Sequence, residues 1–240
     1  MRLFRLYTEA PLQTGQMTRL DSEQAHYLKQ VLRLGSGDDL ILFNGTGGEY
    51  SATITELHKA GCRCKVETFS DIDREMDCEI RIVQAASRNE KIETTLQKGT
   101  ELGAASFEIV ISERSQLRLN EAKLAKRLQR WRKIVTEAAE QSGRTRIPSL
   151  AWRHTLQDIE PHGLTYALHP DEASRWENER ERIATADTLT FAIGPEGGWG
   201  PHDLKELRGM GFGLLGFGAR IMRTETAAPA LLAATQAIRD

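Results

Sequence analysis

Two glycine-rich segments near the end of the chain carry residues whose types and spacing could do chemistry. The first reads IGPEGGWG over 193–200, and the second reads LGFGARIMRTETA over 215–227. Glycines let a backbone approach a ligand closely, and N–H groups at a helix start bind anionic ligands. The second segment adds five polar side chains: Arg220, Arg223, Thr224, Glu225 and Thr226. This density predicts a ligand-binding site, with two ordinary strand-to-helix turns as the alternative.

Short apolar runs before these segments predict the strands that position them. The runs lie at 189–193 and 212–217, and a helix-like stretch follows each. From residue 79 onward, strands and helices alternate, with further strands at 79–86, 107–112 and 164–168 and helices at 89–101, 121–142 and 226–238. Such repetition predicts an α/β fold with a mainly parallel sheet and helices on both faces. Open sheets of this kind bind ligands at the carboxyl ends of their strands.

The first seventy residues show a different pattern, of short strands and frequent turns. Strand-like runs occur at 2–7, 17–20, 40–43, 50–57 and 62–69, with one helix at 22–33. Asn44-Gly45 and Gly47-Gly48 are typical of hairpin turns. The pattern predicts a small β-barrel, followed by an acidic linker at 71–79.

The net charge of −2 hides an uneven distribution of charge. Residues 110–153 contain eleven Lys and Arg against four Asp and Glu. A basic stretch in an otherwise neutral or acidic chain predicts a surface that faces phosphates. The alternative is the solvated basic face of a long amphipathic helix.

Cysteines and apolar runs restrict the class of protein. Three cysteines without a CxxC or metal-type spacing indicate free thiols in a reducing cytoplasm and no metal site. The sequence has no run of eighteen apolar residues that could span a membrane. Its first residues, MRLFRLYTEA, lack the apolar core of a secretory signal. We therefore expect a cytoplasmic protein with neither a metal nor a membrane partner.

GPEGG at 194–198 and LG-x-x-x-RI-x-RTETA at 215–227 resemble segments of the knotted SPOUT (α/β-knot) methyltransferases. Within that superfamily, the chain resembles the family that methylates N3 of a uridine in 16S ribosomal RNA. EQSGR at 140–144 adds to this likeness. Shorter matches are HYL at 26–28, VLR at 31–33, GD at 37–38, FNG at 43–45, QK at 97–98, ELG at 101–103 and SER at 112–114. At 199–202 the chain reads WGPH, where the resemblance leads us to expect Phe followed by a Ser or Thr helix cap. The position at which the following helix starts therefore stays open.

The resemblance implies two domains and a cofactor. Residues 1–72 would form a PUA-like, RNA-binding β-barrel, and residues 73–240 an α/β-knot methyltransferase domain with a deep trefoil knot. The loops of the knot and the segment after Leu168 would wrap S-adenosylmethionine. Two subunits would pair through the knot domain as a homodimer. Leu231 and Leu232 suit burial in that interface or in an ordinary core.

The implied reaction needs a proton acceptor and a stabilised anion, because uracil N3 is a poor nucleophile while it carries its proton. Arg223 is the expected cationic donor, since its planar fork suits two carbonyl oxygens. Glu225 is the expected proton acceptor. Two alternatives stay open: Arg223 grips a phosphate, and Glu225 is a structural carboxylate at the N-terminus of the last helix.

The resemblance also implies binding residues. Two roles are open for Glu196: it bonds to the hydroxyls of the cofactor, or it holds the loop in shape. The expected cofactor-binding residues are Leu168, His169, Gly194, Glu196, Gly197, Gly198, Leu215, Gly216, Ile221, Met222, Thr224 and Thr226. The expected contacts with 16S ribosomal RNA or the assembled small ribosomal subunit are Arg5, His26, Arg33, Arg114, Arg118, Arg144 and Arg146.

Other functions remain open at this stage. One is a ribose 2′-O-methyltransferase of the same superfamily, in which a hydroxyl is the nucleophile. Another is a non-catalytic RNA-binding protein that has kept the fold. An enzyme that binds nucleotide phosphates is disfavoured, because the sequence has no GxxxxGK[ST] motif.

Overall fold

The computed structural model describes residues 4–117, 119–170 and 174–239. The chain divides into two compact units: Met1–Glu75 with Ala139–Ile147, and Met76–Ala138 with Pro148–Asp240. The expected domain boundary after residue 72 stays a prediction, and the segment 139–147 groups with the first unit. None of the described helices is long and apolar enough to cross a membrane.

The first unit contains a five-stranded sheet. Its strands are β1 (Arg5–Tyr7), β2 (Met17–Leu20), β3 (Asp39–Phe43), β4 (Glu49–His58) and β5 (Gly61–Ser70), in the order β1-β3-β4-β5-β2. β1 and β3 are parallel, and the other neighbours are antiparallel. The strands expected in this part are present, although residues 2 and 3 lie outside the described chain.

The helix expected at 22–33 is shorter in the structure. α1 spans Ser22–His26, and its cap Asp21 accepts a hydrogen bond from the Gln24 backbone N–H at 2.8 Å. A π-helical turn follows at Tyr27–Val31. Arg33 then has a φ of 58°, and this left-handed conformation cannot continue a right-handed helix.

Alternate residues of the strands form the core of the first unit. Cys62, Cys64 and Val66 of β5 are buried together with Leu40 and Leu42 of β3. The Sγ atoms of the two cysteines lie 3.6 Å apart, and both thiols are free. The cysteines therefore serve as small core residues on one face of a strand.

The second unit contains a seven-stranded sheet in which all paired strands are parallel. The strands are β6 (Glu79–Ala85), β7 (Ser106–Val110), β8 (Ser149–Arg153), β9 (Leu164–Leu168), β10 (Ser174–Arg175), β11 (Thr188–Ile193) and β12 (Gly213–Gly216). The helices are α2 (Asn89–Glu101), α3 (Glu121–Ser142), α4 (Trp176–Thr185), α5 (Pro201–Gly209) and α6 (Thr224–Arg239), with a 3₁₀ turn at Leu156–Asp158. The end of α3, from Ala139 onward, belongs to the first unit. The predicted α/β architecture is confirmed.

The strand order brings the expected loops together. The order is β10-β12-β9-β11-β6-β7-β8, so β12, β9, β11 and β6 are successive neighbours. Because these strands are parallel, their carboxyl ends lie at one edge of the sheet. The chain runs outward from β6 through β7 and β8 and then crosses to β9 on the other side of β6. Open α/β sheets bind ligands at such a change of direction.

The predicted start of the last helix was wrong. α6 begins at Thr224 rather than at residue 226, so Pro229 lies beyond the first turn. Its missing N–H leaves the Glu225 carbonyl without that helical donor. α2 has the predicted bounds: Asn89 is its first residue, and its cap, Arg88, makes no side-chain cap bond. The pattern did not predict α4, β8 and β10, which are short, whereas α5 is the helix expected after the first glycine-rich segment.

The last helix, α6, packs against α2, α4 and β11. Leu231 and Leu232 are fully buried within the chain itself, so an ordinary core accounts for both. The trefoil knot stays a prediction that the resemblance carries.

Candidate active site

A cavity of about 490 Å³ opens at the carboxyl edge of the parallel sheet. Its walls come from the loops after β9, β11 and β12 and from the first turn of α2. Most of the expected cofactor-binding residues line it, namely Leu168, His169, Gly194, Glu196, Gly197, Gly198, Ile221, Met222 and Thr224. Leu215, Gly216 and Thr226 are not among its lining residues, and Leu215 is fully buried. The structure thus brings together most of the set.

The loop after β11 is a tight turn that needs glycine. The Gly198 backbone N–H donates to the Pro195 carbonyl at 2.9 Å. Gly198 has a φ of 68°, a backbone conformation that residues other than glycine rarely adopt. A Cβ on Gly194 would lie 3.2 Å from the Trp199 backbone nitrogen. Both glycines therefore allow the chain to fold closely around one side of the cavity.

Thr224 joins three segments of the site. Its hydroxyl donates to the Gly194 carbonyl at 2.7 Å and accepts from the Gln84 side-chain amide at 2.8 Å. Gln84 belongs to β6, Gly194 follows β11 and Thr224 begins α6. Gln84 and Thr224 are both buried. Because unpaired buried polar groups are costly, this bridge holds the start of α6 against the loop after β11.

The Glu196 carboxylate fastens its loop to α2. Its Oε1 accepts a hydrogen bond from the Arg88 backbone N–H at 3.1 Å and lies 3.6 Å from the Lys91 Nζ. An anion is favourable at this helix N-terminus. Burial raises the pKa of Glu196, but backbone hydrogen bonds from Glu196 itself and Arg88, with the Lys91 charge, bring it below the usual value. These contacts favour the role of Glu196 in loop shape.

Lys91 also pairs with Glu225. The Glu225 Oε2 lies 3.5 Å from the Lys91 Nζ, and both side chains are 19% exposed. Lys91 lines the cavity, whereas Glu225 is not among its lining residues. The site thus contains one ammonium group shared by two carboxylates.

Arg223 and Ile221 are exposed residues of the cavity wall. Ile221 is 85% exposed, which leaves a large apolar surface in contact with water. Arg223 directly precedes α6, and its carbonyl accepts hydrogen bonds from the Thr226 and Ala227 N–H groups at 2.9 and 3.2 Å. The wall therefore presents an apolar side chain and a cation to a ligand.

The helix after the glycine loop starts without a Ser or Thr cap. Gly200 is the N-cap of α5, and the Asp203 Oδ2 accepts a hydrogen bond from its N–H at 2.9 Å. The Glu113 Oε2 accepts from the His202 N–H at 3.1 Å. A Cβ on Gly200 would overlap the Glu113 carboxylate. Glu113, from the segment after β7, thus replaces the expected cap by accepting a hydrogen bond at the start of α5. Its carboxylate leaves room only for glycine at position 200.

Two family models match the chain. The model described as an RNA methyltransferase domain matches residues 74–236, and one described as an RNA methyltransferase PUA domain matches residues 20–67. The chain belongs to this family of RNA methyltransferases. The first match contains the whole cavity, and the second lies within the five-stranded sheet unit.

Individual relatives of the family are similar along most of the chain. A Synechocystis protein named Ribosomal RNA small subunit methyltransferase E is 32% identical over 92% of this chain and 73% of its own. The protein of that name from Bacillus subtilis is 29% identical, over 94% and 92%.

Solved structures are similar over nearly the whole fold. A Ribosomal RNA small subunit methyltransferase E from Neisseria gonorrhoeae, bound to S-adenosyl methionine, is 31% identical with a TM-score of 0.90, covering 99% of this chain and 98% of its own. A Legionella pneumophila protein described as a methyltransferase, with bound cofactor SAM, is 34% identical with a TM-score of 0.92 and the same coverage.

The size and lining of the cavity suit a small-molecule cofactor. Small-ligand sites typically span roughly 300–1,000 Å³ and combine apolar walls with a few polar groups. Leu168, Ile221 and Met222 supply apolar surface, and the glycine loop supplies backbone polar groups. Within the described ranges, no group of three His, Cys, Asp or Glu side chains could hold a metal ion.

The expected RNA contacts are in different surroundings. His26, Arg33 and Arg146 are exposed on the first unit. Arg114 lines the cavity and donates to a carbonyl of the glycine loop at 2.7 Å. Arg118 lies outside the described residues. The exposed members remain candidates for contact with phosphates.

Arg5 and Arg144 are instead paired inside the first unit. Arg5 pairs with Glu49 and donates to the Arg144 carbonyl at 2.7 Å. The Arg144 side chain is 5% exposed and pairs with Glu75. Their guanidinium groups are therefore occupied in the interior of this unit and are not presented to an RNA phosphate.

Three contributors to the site were not predicted from the sequence. Gln84 was detectable as an uncharged amide in an otherwise apolar strand end, because a buried amide needs a partner. Lys91 was detectable as a cation in a first helical turn, where the helix dipole opposes it. Glu113 lies in the SER segment that matches the family, but its capping role was not predictable because its partner His202 is distant in the sequence.

Thr224→Val should disturb both stability and cofactor binding. The change keeps the shape of the side chain but leaves the Gln84 amide and the Gly194 carbonyl without their partner. We expect a loss of about 1–3 kcal/mol in the free energy of unfolding, measured by urea titration. Calorimetry should show weaker binding of S-adenosylmethionine.

Thr235→Val is the matched control for this prediction. The Thr235 hydroxyl is also buried, but it donates only to the Leu231 carbonyl within α6. This variant should keep the cofactor affinity of the wild type. Equal affinity and equal stability in Thr224→Val and the wild type would contradict the role of the bridge.

Proposed function

We propose that the protein transfers a methyl group from S-adenosylmethionine to N3 of a specific uridine in 16S ribosomal RNA. The observation that carries the proposal is the cavity at the carboxyl ends of β9, β11 and β12, with Arg223 in its wall. Membership of the RNA methyltransferase family supports the reaction class. The solved relative from Neisseria gonorrhoeae, with its bound S-adenosyl methionine, supports the cofactor.

The cavity wall suits the separate parts of the cofactor. S-adenosylmethionine supplies, when bound, an electrophilic methyl group. Leu168, Ile221 and Met222 would contact its apolar surfaces, and the backbone of Gly194 and Gly197 would meet its polar groups. Closing the exposed Ile221 over the cavity would exclude water from the reacting groups.

Arg223 and Glu225 have separate roles in the reaction of the uracil base. Removing the N3 proton places negative charge on O2 and O4, and the Arg223 guanidinium donates to these oxygens and stabilises it. The Glu225 carboxylate accepts the proton. Its Oε2 is buried, receives no hydrogen bond from the described residues and lies 3.5 Å from the Lys91 ammonium, its ion-pair partner.

Arg223→Ala should lower the turnover number for methyl transfer by about 10²-fold or more, as the loss of an oxyanion donor does elsewhere. Arg223→Lys keeps the charge but not the fork, and we expect an intermediate loss. Arg180→Ala, at an exposed arginine of α4, is the control. Unchanged turnover with weaker RNA binding would assign Arg223 to a phosphate instead.

A stripe of cations along α3 is the proposed contact for RNA phosphates. Apart from the adjacent Lys126 and Arg127, successive members lie three residues apart, so the stripe stays on one side of the helix. The buried Trp131 and Val135 lie on another face. Glu93 pairs with two of the five, at distances of 2.6 and 4.0 Å. The stripe consists of Lys123, Lys126, Arg127, Arg130 and Lys133.

The double substitution Lys123→Ala and Lys126→Ala removes two exposed members of this stripe. It should weaken RNA binding without changing which base is methylated. Each lost phosphate contact reduces the slope of log affinity against log salt by about 0.7–0.9. Filter binding at several salt concentrations measures this slope. The matched control replaces two exposed cations on other helices, Arg180 and Lys205, by alanine. An equal slope in both double variants would count against the stripe.

The proposed setting is a homodimer with a trefoil knot that acts in the cytoplasm. A ribosomal RNA substrate supports the cytoplasmic location. The knot and the dimer are supported by the resemblance of the GPEGG and RTETA segments to the α/β-knot superfamily. Analytical ultracentrifugation of the full chain would test the dimer directly.

The decisive experiment follows a labelled methyl group. The protein is incubated with labelled S-adenosylmethionine and either unmodified 16S ribosomal RNA or assembled small subunits, and the nucleosides are analysed by mass spectrometry. We expect label in 3-methyluridine. Label in a 2′-O-methyl nucleoside would instead establish the ribose methyltransferase. Cofactor binding without labelled RNA would contradict the proposed substrate. The absence of both cofactor binding and label would favour a non-catalytic RNA-binding protein.

A further inference from the structure

The cavity carries more positive charge than its cofactor accounts for. Its described lining contains one carboxylate, that of Glu196, whose Oε1 lies 3.6 Å from the Lys91 Nζ. The cationic side chains of the lining are Lys91, Arg114, Arg220 and Arg223. S-adenosylmethionine has one carboxylate against an ammonium and a sulfonium group, so its own net charge is positive. Because a cleft lined by one sign of charge attracts the opposite sign, the three arginines indicate a second, anionic ligand.

Arg114 is held at the rim of the cavity by a compact turn after β7. The Ser115 N–H donates to the Ser112 carbonyl at 3.1 Å, and the Ser112 N–H donates to the Ser115 hydroxyl at 3.0 Å. Both serines are buried, whereas Arg114 is exposed. Its guanidinium donates one N–H to the Gly197 carbonyl at 2.7 Å. Since a guanidinium has five N–H donors, this bond orients the group and leaves donors for an anion.

Arg220 reaches the same cavity from the loop after β12. Residues 218–221 of this loop are all exposed. No ion pair or side-chain hydrogen bond among the described residues involves the Arg220 guanidinium. In the sheet, β9, β11 and β6 lie between β12 and β7, so Arg220 and Arg114 approach the cavity from two sides. Such guanidinium groups suit bidentate binding of phosphates.

We propose that Arg114 and Arg220 form a phosphate site at the mouth of the cavity, which binds the RNA backbone on the two sides of the target uridine. The inference rests on the proposed methyl transfer and adds the site for the phosphates of the substrate. An enzyme that acts on a base takes that base out of its stack. The two phosphates of the displaced nucleotide then lie at the entrance, while its base meets Arg223 inside. Their charge also offsets the repulsion between the arginines and the sulfonium group.

The test uses uridine 3′,5′-bisphosphate, which carries both flanking phosphates, and the 5′- and 3′-monophosphates of uridine, which carry one each. Ligand-observed NMR measures their dissociation constants for protein saturated with S-adenosylhomocysteine. In the wild type, removing either phosphate should weaken binding about tenfold, as the loss of a charged hydrogen bond does. In Arg220→Ala the removal of one phosphate should no longer matter, and in Arg114→Ala the removal of the other. Arg180→Ala, at an exposed arginine of α4, should behave like the wild type.

Two further measurements separate the phosphate site from the cofactor site and from the reaction itself. Arg220→Ala should keep the wild-type affinity for S-adenosylhomocysteine in calorimetry, because Arg220 binds the RNA backbone and not the cofactor. In methyl transfer, Arg220→Ala should raise the KM for RNA with little change in kcat. Arg223→Ala, by contrast, should lower kcat.

Four results would overturn the phosphate site. One is equal affinity of the wild type for the bisphosphate and both monophosphates, and another is the full tenfold losses in both arginine variants. A third is weaker binding of S-adenosylhomocysteine by Arg220→Ala with unchanged nucleotide affinities, which would assign Arg220 to the cofactor carboxylate. The fourth is displacement of the bisphosphate by an equal concentration of inorganic phosphate, which would indicate a site for a free anion.

The nucleotide titrations need no methyl transfer. A wild-type protein that labels no ribosomal RNA would therefore defeat the proposed function, while the titrations would still decide whether Arg114 and Arg220 bind phosphates.

Discussion

The hydroxyl of Thr224 is the interaction on which the rest of the site depends. It spans the distance between the amide of Gln84 and the carbonyl of Gly194, and so connects β6, the loop after β11 and α6. A buried hydroxyl with one donor and one acceptor in place is sensitive to the position of both partners. The starting point of α6 is therefore set from inside the sheet, and Arg223 and Glu225 take their places relative to it.

Carboxylates from distant parts of the chain complete the starts of two helices in this unit. Glu196 accepts from the N–H of Arg88 at α2, and Glu113 accepts from the N–H of His202 at α5. A local cap stabilises only its own helix, whereas a cap from another segment also attaches that segment. The loops that border the cavity are thus held by the same bonds that satisfy the helix ends.

The parallel sheet and the cavity were predictable because apolar periodicity and glycine-rich strand ends are local signals. The strands at 164–168 and 189–193 follow from such signals, whereas the wall residues Ile221 and Met222 were expected from the family resemblance. Partnerships across the sequence were not predictable. The burial of Arg144 against Glu75 and the sharing of Lys91 between two carboxylates depend on tertiary packing. A charged residue in a sequence shows its charge but not whether a partner has already neutralised it.

The start of α5 has an evolutionary consequence. Gly200 leaves room for the Glu113 carboxylate, and Glu113 supplies the acceptor that Gly200 cannot. A chain with Ser or Thr at position 200 would carry its own cap and would have no space for the incoming carboxylate. Neither change is favourable alone, because one leaves a helix end unsatisfied and the other creates a clash. The two positions should therefore have been inherited and exchanged as a pair, although they lie 87 positions apart in the sequence.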